Sequence, residues 1–389
     1  MDQRFDNPRV LIAPDKFKGS LSASTVASII SQVVAERIPS AVITQTPIAD
    51  GGDGSLDILL KSDFKSVRVS TFNALMEPVE TQYGVKEENG KKLAFVEMAS
   101  ICGIASLQGR QLEPRFASSY GLGDVVYQAL TTGVDEIIVS LGGSASTDGG
   151  LGFLVGLGAI VKNDKGARVA PNLDGLRGAS QIDLSLLHPR VHPSVSSVKW
   201  TFLVDVDNPL VGINGSAHVF GLQKGLRPEE LDEADLLLSK WADLLQKVSG
   251  IDVRDLPGTG AAGGVASVGR SIFSADFLSG SLWFADQLNL VQKITESDFV
   301  ITGEGSFDTQ SIHGKGPGLV VKAALEQNKV VGVLAGHIEP HIQGLESVNL
   351  CSLIDVAPSR RDAMGRPEKW LKIAAERILE KLLATSKST

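Results

Sequence analysis

Five short loops in this sequence contain carboxylates, four of them together with glycines, and each follows an apolar run typical of a buried strand. They cover residues 15–20, 50–54, 142–150, 205–209 and 302–311. Glycine lets the backbone turn tightly and present its N–H groups to an anion, while carboxylates bind divalent cations. Doubly wound sheets bind ligands at the carboxyl ends of their strands, where such loops lie. The pattern favours a site for a magnesium-bound nucleotide and a small anionic acceptor.

The third of these loops is the richest in small residues. Gly142 and Gly143 precede a run from Ser144 to Thr147, whose backbone N–H groups could face a phosphate beside a helix N-terminus. Asp148 stands out, because a carboxylate repels a bare phosphate. It is either the N-cap of the next helix or a ligand of a magnesium ion that separates it from phosphate. The sequence leaves both interpretations open.

Two other loops each place two carboxylates close together. Asp50 and Asp53 are separated by two glycines, which allow both side chains to face one cation. An ordinary turn is the alternative. Asp205 and Asp207 directly follow the strand-like run 200–204 and form a second pair at a strand end.

Lysines in the same kind of loop supply positive charge. Lys16 and Lys18 precede Ser20, which we expect to cap a helix that ends near Arg37. Both lysines could meet phosphate or carboxylate, or could be solvated on the surface. Lys315 follows a glycine as in a P-loop, but the glycine that the motif requires five positions earlier is a threonine, so the motif fails.

A glycine string at residues 258–264 matches the letters of the dinucleotide fingerprint. That fingerprint requires a strand directly before it and an acidic residue at the end of the next strand. Neither is evident here, so we reject a nicotinamide cofactor. A tightly packed helix start is the better interpretation.

Composition and charge limit the classes of function. The net charge of -8 disfavours nucleic acid or an anionic membrane as a partner, and 5% aromatic residues disfavours base stacking. Cys102 and Cys351 lie in apolar surroundings, which indicates core thiols rather than a disulfide framework. Because we find no signal-peptide pattern and no apolar run long enough for a bilayer, we expect a soluble, cytoplasmic protein. The sequence does not specify its oligomeric state.

The length of 389 residues favours about two domains. Strand and helix patterns alternate at both ends of the chain, whereas residues 67–98 have the short alternation of antiparallel strands. We predict an α/β fold in which residues 1–78 and 290–389 build one Rossmann-like parallel sheet. Residues 79–289 would form an inserted, mixed α/β domain, with a ligand cleft between the two. The segment 162–198 is irregular and its role is open.

Seven stretches, in order along nearly the whole chain, resemble the glycerate kinase family of bacteria and some fungi, the type that makes 2-phosphoglycerate. They are APDKFKGSLSA (13–23), PIADGGDGS (47–55), SYGLGD (119–124), SLGGSASTDGGLG (140–152), DVDNPL (205–210), GTGAAGG (258–264) and ITGEGSFDTQSIHGKGP (301–317). The resemblance implies phosphorylation of D-glycerate with ATP and Mg²⁺ on two α/β domains. It does not identify the general base.

Phosphoryl transfer needs charge neutralisation and positioning more than covalent help. We expect Asp205, with Asp207 as its rival, to orient the acceptor hydroxyl and take its proton. The other catalytic candidates are Lys16 and Asp148. Candidates for substrate binding are Lys18, Ser20, Ser118, Ser119 and Asn208. Candidates for nucleotide or phosphate binding are Gly142, Gly143, Ser144, Thr147, Gly303, Glu304, Gly305 and Lys315. Metal candidates are Asp50, Asp53 and Asp308.

Two other functions stay open at this point. A kinase of the same mechanism could act on a different small hydroxy acid or sugar acid. A non-catalytic sensor could bind an organic acid or phosphate, in which case a ligand would raise the melting temperature without formation of ADP.

Overall fold

The structure is a computed structural model that describes residues 7–192, 197–312, 316–340 and 342–385. Its strands, in chain order, are β1 (Arg9–Ile12), β2 (Val42–Gln45), β3 (Lys65–Phe72), β4 (Pro78–Glu88), β5 (Lys91–Glu97), β6 (Glu136–Ser140), β7 (Ile160–Lys162), β8 (Gln181–Asp183), β9 (Lys199–Leu203), β10 (Asp276–Leu278), β11 (Phe299–Phe307), β12 (Val330–Ile338) and β13 (Val348–Ser352).

The α-helices are α1 (Ala23–Arg37), α2 (Ser55–Leu59), α3 (Met98–Cys102), α4 (Tyr120–Thr131), α5 (Leu151–Gly156), α6 (Ser216–Phe220), α7 (Leu231–Ser249), α8 (Val265–Ile272), α9 (Gly280–Gln287), α10 (Leu290–Thr295), α11 (Thr309–Ile312), α12 (Gly316–Glu326), α13 (Leu353–Val356), α14 (Arg360–Gly365) and α15 (Pro367–Thr385). Short 3₁₀ turns include Leu222–Lys224 and Ala261–Gly264. No helix in the described ranges is long and apolar enough to cross a membrane.

The chain divides into two compact units. The terminal unit comprises Met1–Asp50 and Ser281–Thr389, and the central unit comprises Gly51–Gly280. These bounds differ from the predicted ones chiefly at residues 51–78. That segment belongs to the central unit, because β3 pairs antiparallel with β4 along its whole length. The alternating pattern over residues 67–98 predicts these antiparallel strands, but the predicted domain boundary at residue 78 separates β3 from β4.

The terminal unit contains one parallel sheet with the strand order β13-β12-β11-β1-β2. Val10 of β1 pairs with Phe299 of β11, so the predicted parallel sheet formed by both ends of the chain is confirmed. Helices α1 and α15 bury apolar side chains such as Ile30 and Ile378 in the core of this unit. Burial of one such side chain contributes about 1.5–3 kcal/mol.

Helix α1 begins later than predicted, at Ala23 rather than after Ser20. Its N-cap is Ser22, whose Oγ accepts a hydrogen bond of 3.1 Å from the backbone N–H of Thr25. The backbone groups of Phe17 and Leu21 pair with each other instead of extending the helix. The predicted cap at Ser20 is therefore wrong.

Strand β11 continues through the residues that were predicted to form a loop after position 301. Its register with β12 extends to the pair Phe307 and Ile338. Gly303, Glu304 and Gly305 consequently lie on a strand, which corrects the loop prediction. Two glycines in this run obscure the strand in the sequence, because glycine has a low strand propensity. Pairing with β12 compensates for that low propensity.

The central unit contains a mixed sheet with the order β10-β9-β6-β5-β4-β3. Its antiparallel half, β3 to β5, is the meander that the alternating pattern predicts, and β5, β6, β9 and β10 are parallel. Phe153, Trp200 and Phe202 pack with ring centroids about 6 Å apart in its core. The predicted mixed α/β character of this part of the chain is confirmed.

The irregular segment 162–198 belongs to the central unit and contributes to a short hairpin. Strands β7 and β8 pair antiparallel, and Arg115 donates a hydrogen bond of 2.9 Å to Asp174. Arg177 forms an ion pair with Glu233 of α7. Leu173, Leu176, Leu187 and Val191 of this segment are buried in the core of the central unit, so apolar packing holds the segment in place together with the charged pairs.

Candidate active site

The carboxyl edge of the parallel sheet in the terminal unit holds a pocket of about 160 Å³. Its lining residues are Asp15, Asp50, Glu304, Ser306, Asp308, Ser311, Gly316 and Pro317. The four carboxylates follow β1 and β2 or lie on and just after β11. The structure thus brings the predicted residues Asp50, Glu304 and Asp308 together at one edge. Asp15 was not among the predicted site residues, although its position directly before two lysines after a strand was a usable signal.

Burial and mutual repulsion disfavour ionisation of the carboxylates in this pocket. Burial raises the pKa of Asp15 to about 7, and the neighbouring Asp50 carboxylate adds to the rise while Lys16 opposes it. Burial also raises the pKa of Glu304 to about 7, and the Asp15, Asp308 and Asp50 carboxylates contribute further. The pocket thus brings several carboxylates together in surroundings that disfavour their ionisation.

Lys16 is the lysine of the first loop that reaches the acidic groups. Its Nζ lies 3.1 Å from Asp50 Oδ1, and both side chains are partly buried. Lys18 and Ser20 are exposed, so only Lys16 of this loop shares its environment with the pocket carboxylates. A Cβ on Gly305 would lie 3.1 Å from the Lys18 backbone nitrogen, which shows how closely β11 approaches this loop.

The segment after β11 completes the pocket. Asp308 Oδ1 accepts a hydrogen bond of 3.2 Å from the Ser311 backbone N–H at the start of α11. The backbone N–H of Gly316 donates to Ser281 Oγ at 3.1 Å where α12 begins. Lys315, predicted to bind phosphate, lies outside the described residues.

The donor set of the pocket fits a hard divalent cation. Oxygen ligands from carboxylates are those that Mg²⁺ uses in proteins, and the raised pKa values of Asp15 and Glu304 mark charge that a cation would offset. Among the described residues, no three carboxylate, histidine or cysteine side chains are already arranged as a metal cluster. Of the predicted metal ligands, Asp50 and Asp308 line the pocket, whereas Asp53 is exposed in the central unit and does not.

The central unit places the loop from Gly142 to Asp148 at the carboxyl end of β6. A Cβ on Gly142 would lie 2.5 Å from the Gly52 Cα, so the loop packs directly against the glycine-rich turn at 51–54. Gly143 adopts φ of +72°, a conformation that favours glycine. The predicted small-residue loop therefore depends on its glycines for both its path and its packing.

Asp148 is fully enclosed in the central unit. It accepts hydrogen bonds from the backbone N–H and Oγ of Ser119 at 2.8 Å and from the N–H groups of Gly150 and Gly152 at 3.1 Å. Burial raises its pKa, and these hydrogen bonds oppose the rise. Both carboxylate oxygens are thus engaged by N–H and hydroxyl donors near the start of α5. The N-cap of α5 is Gly150, so Asp148 is not itself the predicted N-cap, although its carboxylate accepts from N–H groups at the start of this helix.

Ser118 and Ser119 are buried rather than open to a small substrate. Ser118 Oγ donates to the Pro171 carbonyl, and Ser119 Oγ bonds Asp148 and accepts from the Phe153 N–H at 2.8 Å. Their expected role in substrate binding stays a prediction, and the observed partners of both hydroxyls are groups of the protein. The two serines therefore stabilise the loop that contains Asp148 and the start of α5.

Asp205 lies just beyond β9, the neighbour of β6 in the sheet. Its Oδ1 accepts hydrogen bonds from Ser279 Oγ at 2.8 Å and from the Gly280 N–H at 2.9 Å. Asp207 is exposed, and Asn208 Nδ2 donates to the Asn214 carbonyl at 2.9 Å. Of the two candidate bases, Asp205 therefore has the more firmly fixed carboxylate.

Glu97 is a buried carboxylate at the end of β5 that the sequence did not identify as a site residue. It accepts a hydrogen bond of 3.2 Å from the Leu56 N–H at the start of α2. Burial raises its pKa to about 7, and hydrogen bonds from Leu56 and Ser55 lower it. Glu97 therefore fixes the helix that follows the turn at 51–54.

Lys224 is a second residue that the sequence analysis missed. It is only 4% exposed, and its Nζ donates to Ser144 Oγ at 2.8 Å and to the Ser146 carbonyl at 2.7 Å. Burial lowers its pKa to about 7, while the Asp148 carboxylate opposes the decrease. No local pattern marks this lysine, because its partners lie about 80 residues earlier in the chain.

Comparisons with known proteins agree on one family. The model of the glycerate kinase family matches residues 10–383 of the chain. Glycerate 2-kinase of Escherichia coli (strain K12) is 36% identical over 87% of this chain and 89% of its own, and glycerate kinase of Bacillus cereus (strain ATCC 10987 / NRS 248) is 33% identical over 95% of each. A crystal structure of a provisionally assigned glycerate kinase 2 from Salmonella typhimurium LT2 has a TM-score of 0.81 and 33% identity. That match covers 98% of this chain and 100% of the other.

Proposed function

Because the chain belongs to the glycerate kinase family, we propose that it transfers a phosphoryl group from ATP to the C2 hydroxyl of D-glycerate, with Mg²⁺, to form 2-phosphoglycerate. The observation that carries the proposal is the family match along residues 10–383. A relative whose name is glycerate 2-kinase, 36% identical over 87% of the chain, supports the choice of C2. The acidic pocket and the glycine-rich loop provide the chemistry that this reaction needs.

In this proposal the pocket carboxylates Asp15, Asp50, Glu304 and Asp308 hold the magnesium ion. A bound Mg²⁺ supplies neutralisation of phosphate charge. Lys16, which lies against Asp50, adds a positive charge for the carboxylate of glycerate or for a phosphate. Lys18 and Lys315 are further candidates for the same purpose.

In this proposal the loop from Gly142 to Thr147 binds phosphate through the backbone N–H groups of Ser144, Ser146 and Thr147. The N–H groups of Gly142 and Ala145 donate instead to the Gly51 and Cys102 carbonyls, at 3.3 and 3.0 Å. The position of the loop after a parallel strand and the positive φ at Gly143 support phosphate binding. Gly303 and Gly305 allow β11 to approach its neighbours closely, and Glu304 between them faces the pocket.

Asp205 is the proposed general base. Ser279 and Gly280 hold one of its oxygens, so the carboxylate has a fixed orientation toward which an acceptor hydroxyl can dock. A carboxylate in that position orients the hydroxyl and accepts its proton as the bond to phosphorus forms. Asp207, which is exposed, is the rival candidate.

Transfer to C2 has an electrostatic cost that lysines can offset. The C2 hydroxyl lies next to the carboxylate of glycerate, so the incoming phosphoryl group approaches an anion. Two unit charges about 4 Å apart repel by about 4 kcal/mol at an effective dielectric constant of roughly 20. A site for C2 transfer therefore needs cations near both anions.

An assay of ADP formation tests the proposal. We expect the purified protein to form ADP from ATP when D-glycerate and Mg²⁺ are both present, and EDTA to abolish the reaction. Turnover only with a larger hydroxy acid or sugar acid would instead indicate a kinase of different specificity. A melting temperature raised by glycerate without any ADP would indicate a binding protein and would contradict the proposal.

A further inference from the structure

Lys224 reaches the glycine-rich loop from the interior of the central unit. Its amine donates to Ser144 Oγ and to the Ser146 carbonyl, at 2.8 and 2.7 Å. These two bonds join positions 144 and 146 to a single nitrogen, and so fix the middle of the loop. A hydrogen bond to an ionised group contributes more than one between neutral groups, and loss of either bond leaves a buried polar atom unsatisfied.

Groups from two other segments fix the C-terminal end of the same loop. The Gly149 N–H donates to the Gly263 carbonyl at 2.8 Å, and a Cβ on Gly263 would lie 2.1 Å from the Ser146 carbonyl oxygen. Trp241 Nε1 donates to the Gly149 carbonyl at 2.7 Å.

Backbone hydrogen bonds to residues 102–104 hold the first part of the loop, since the Ala145 N–H donates to the Cys102 carbonyl at 3.0 Å and the Ile104 N–H to the Gly143 carbonyl at 2.9 Å. Lys224 adds the side-chain contacts to Ser144 and Ser146 between these two anchored ends.

Two hydroxyls of the loop, Ser146 Oγ and Thr147 Oγ1, are buried without a hydrogen-bond partner among the residues that the structure describes. An unsatisfied buried hydroxyl costs about 1–3 kcal/mol, so such groups persist where a ligand or water satisfies them. Both adjoin the backbone that Lys224 fixes.

We propose that Lys224 is a positioning residue for nucleotide binding, which holds the loop so that the N–H and hydroxyl groups of Ser146 and Thr147 face a phosphate. The inference rests on the proposed function and adds to it a residue outside the loop. Lys224 acts through Ser144 and Ser146 and does not itself contact the nucleotide. Its loss should therefore weaken ATP binding selectively.

The test compares Lys224→Met with Lys240→Met, which removes an exposed lysine from α7 of the same unit. Titration calorimetry measures the Kd for ATP with Mg²⁺, and steady-state assays measure the KM for D-glycerate, well below each variant's melting temperature. We expect Lys224→Met to raise the Kd for ATP roughly tenfold or more while the KM for glycerate changes less than about threefold. Lys240→Met should match the wild type in both.

A second variant covers the case in which Lys224→Met does not fold. Ser144→Ala removes one acceptor and leaves the bond to the Ser146 carbonyl, so it should fold and raise the Kd for ATP by a smaller factor. An unchanged Kd in the folded variants, or equal weakening of ATP and glycerate, would overturn the inference while wild-type turnover left the proposed function intact. A wild type that neither binds ATP nor phosphorylates glycerate would overturn both.

Discussion

Single carboxylates in this protein have roles that depend on what surrounds each of them. Asp148 and Glu97 are enclosed and bond backbone N–H groups, Asp205 is half-buried and anchored, and Asp207 is exposed. The sequence presents all of them as acids near glycines or strand ends. Burial and hydrogen bonding therefore distinguish the carboxylates with a structural role from those that a substrate can contact.

Exchange of Asp205 for asparagine tests the proposed base. Because general base catalysis contributes about 10²–10⁴-fold, Asp205→Asn should lower kcat by roughly 100-fold or more. Asp207→Asn is the matched control, and we expect its kcat within about threefold of the wild type. If Asp207→Asn is the variant that loses turnover in a steady-state assay, the assignment passes to Asp207.

Asp148→Asn should lower stability rather than only turnover. An asparagine has one acceptor oxygen where the carboxylate has two, and its NH₂ group would face the N–H and O–H donors that now bond Asp148. Each buried donor left unsatisfied costs about 1–3 kcal/mol, so we expect a melting temperature lower by at least about 4 °C.

Differential scanning fluorimetry measures this shift. Asp164→Asn replaces an exposed aspartate of the same unit and should leave the melting temperature unchanged. An Asp148→Asn protein of normal stability that has lost most of its kcat would instead support direct contact with the metal ion or the nucleotide.

Glu97→Gln should change how stability depends on pH. The pKa of Glu97 is raised from 4.5 to about 7 in the folded state, so the folded protein binds this proton more strongly than the unfolded chain does. The stability that the protonated Glu97 contributes to the wild type is therefore lost as the pH rises through 7. Glutamine keeps an acceptor for the Leu56 N–H and does not ionise. Relative to the wild type, Glu97→Gln should therefore be more stable at pH 8 than at pH 5, by at least about 2 °C in melting temperature.

Melting curves of the wild type, of Glu97→Gln and of a control variant from pH 5 to pH 8 provide the measurement. Glu87→Gln, which removes an exposed carboxylate from β4, should follow the wild type at every pH. A constant difference between Glu97→Gln and the wild type from pH 5 to pH 8 would show that Glu97 does not titrate there.

At the scale of elements, local patterns are most informative where an apolar run is compact or an amphipathic pattern is long. Strands β1, β6 and β9 follow compact apolar runs, and α7 follows an amphipathic pattern that continues for five turns. Two errors have long-range causes. The bridge between Phe17 and Leu21 delays the start of α1, and pairing with β12 extends β11 through a glycine-rich run.

Gly303 tests the extended strand. A Cβ at this position would lie 1.8 Å from the Leu334 carbonyl oxygen of β12, so Gly303→Ala forces the two strands apart. We expect the melting temperature to fall by at least about 4 °C, since overpacking of this kind costs typically 1–3 kcal/mol. Gly365→Ala, where a Cβ meets nothing within 4 Å, should leave thermal unfolding near the wild type. A stable Gly303→Ala protein would contradict the strand pairing at this point.

At the scale of the whole molecule, each unit places its candidate groups at the carboxyl edge of parallel strands, as the strand-end loops predicted. The sequence identified these loops because glycine and aspartate after an apolar run are local signals. It could not show which side chains converge or become enclosed. Asp15 and Lys224 were missed, and the enclosure of Ser118 and Ser119 was not predicted, because burial depends on contacts with distant parts of the chain.

The identity of the product tests the central claim most directly. ³¹P NMR of the reaction of ATP with D-glycerate distinguishes the two monophosphates, and an enolase-coupled assay without a mutase reports only 2-phosphoglycerate. We predict 2-phosphoglycerate as the product, formed only with Mg²⁺. Accumulation of 3-phosphoglycerate would contradict both the proposed C2 specificity and the role of the lysines beside the acidic pocket.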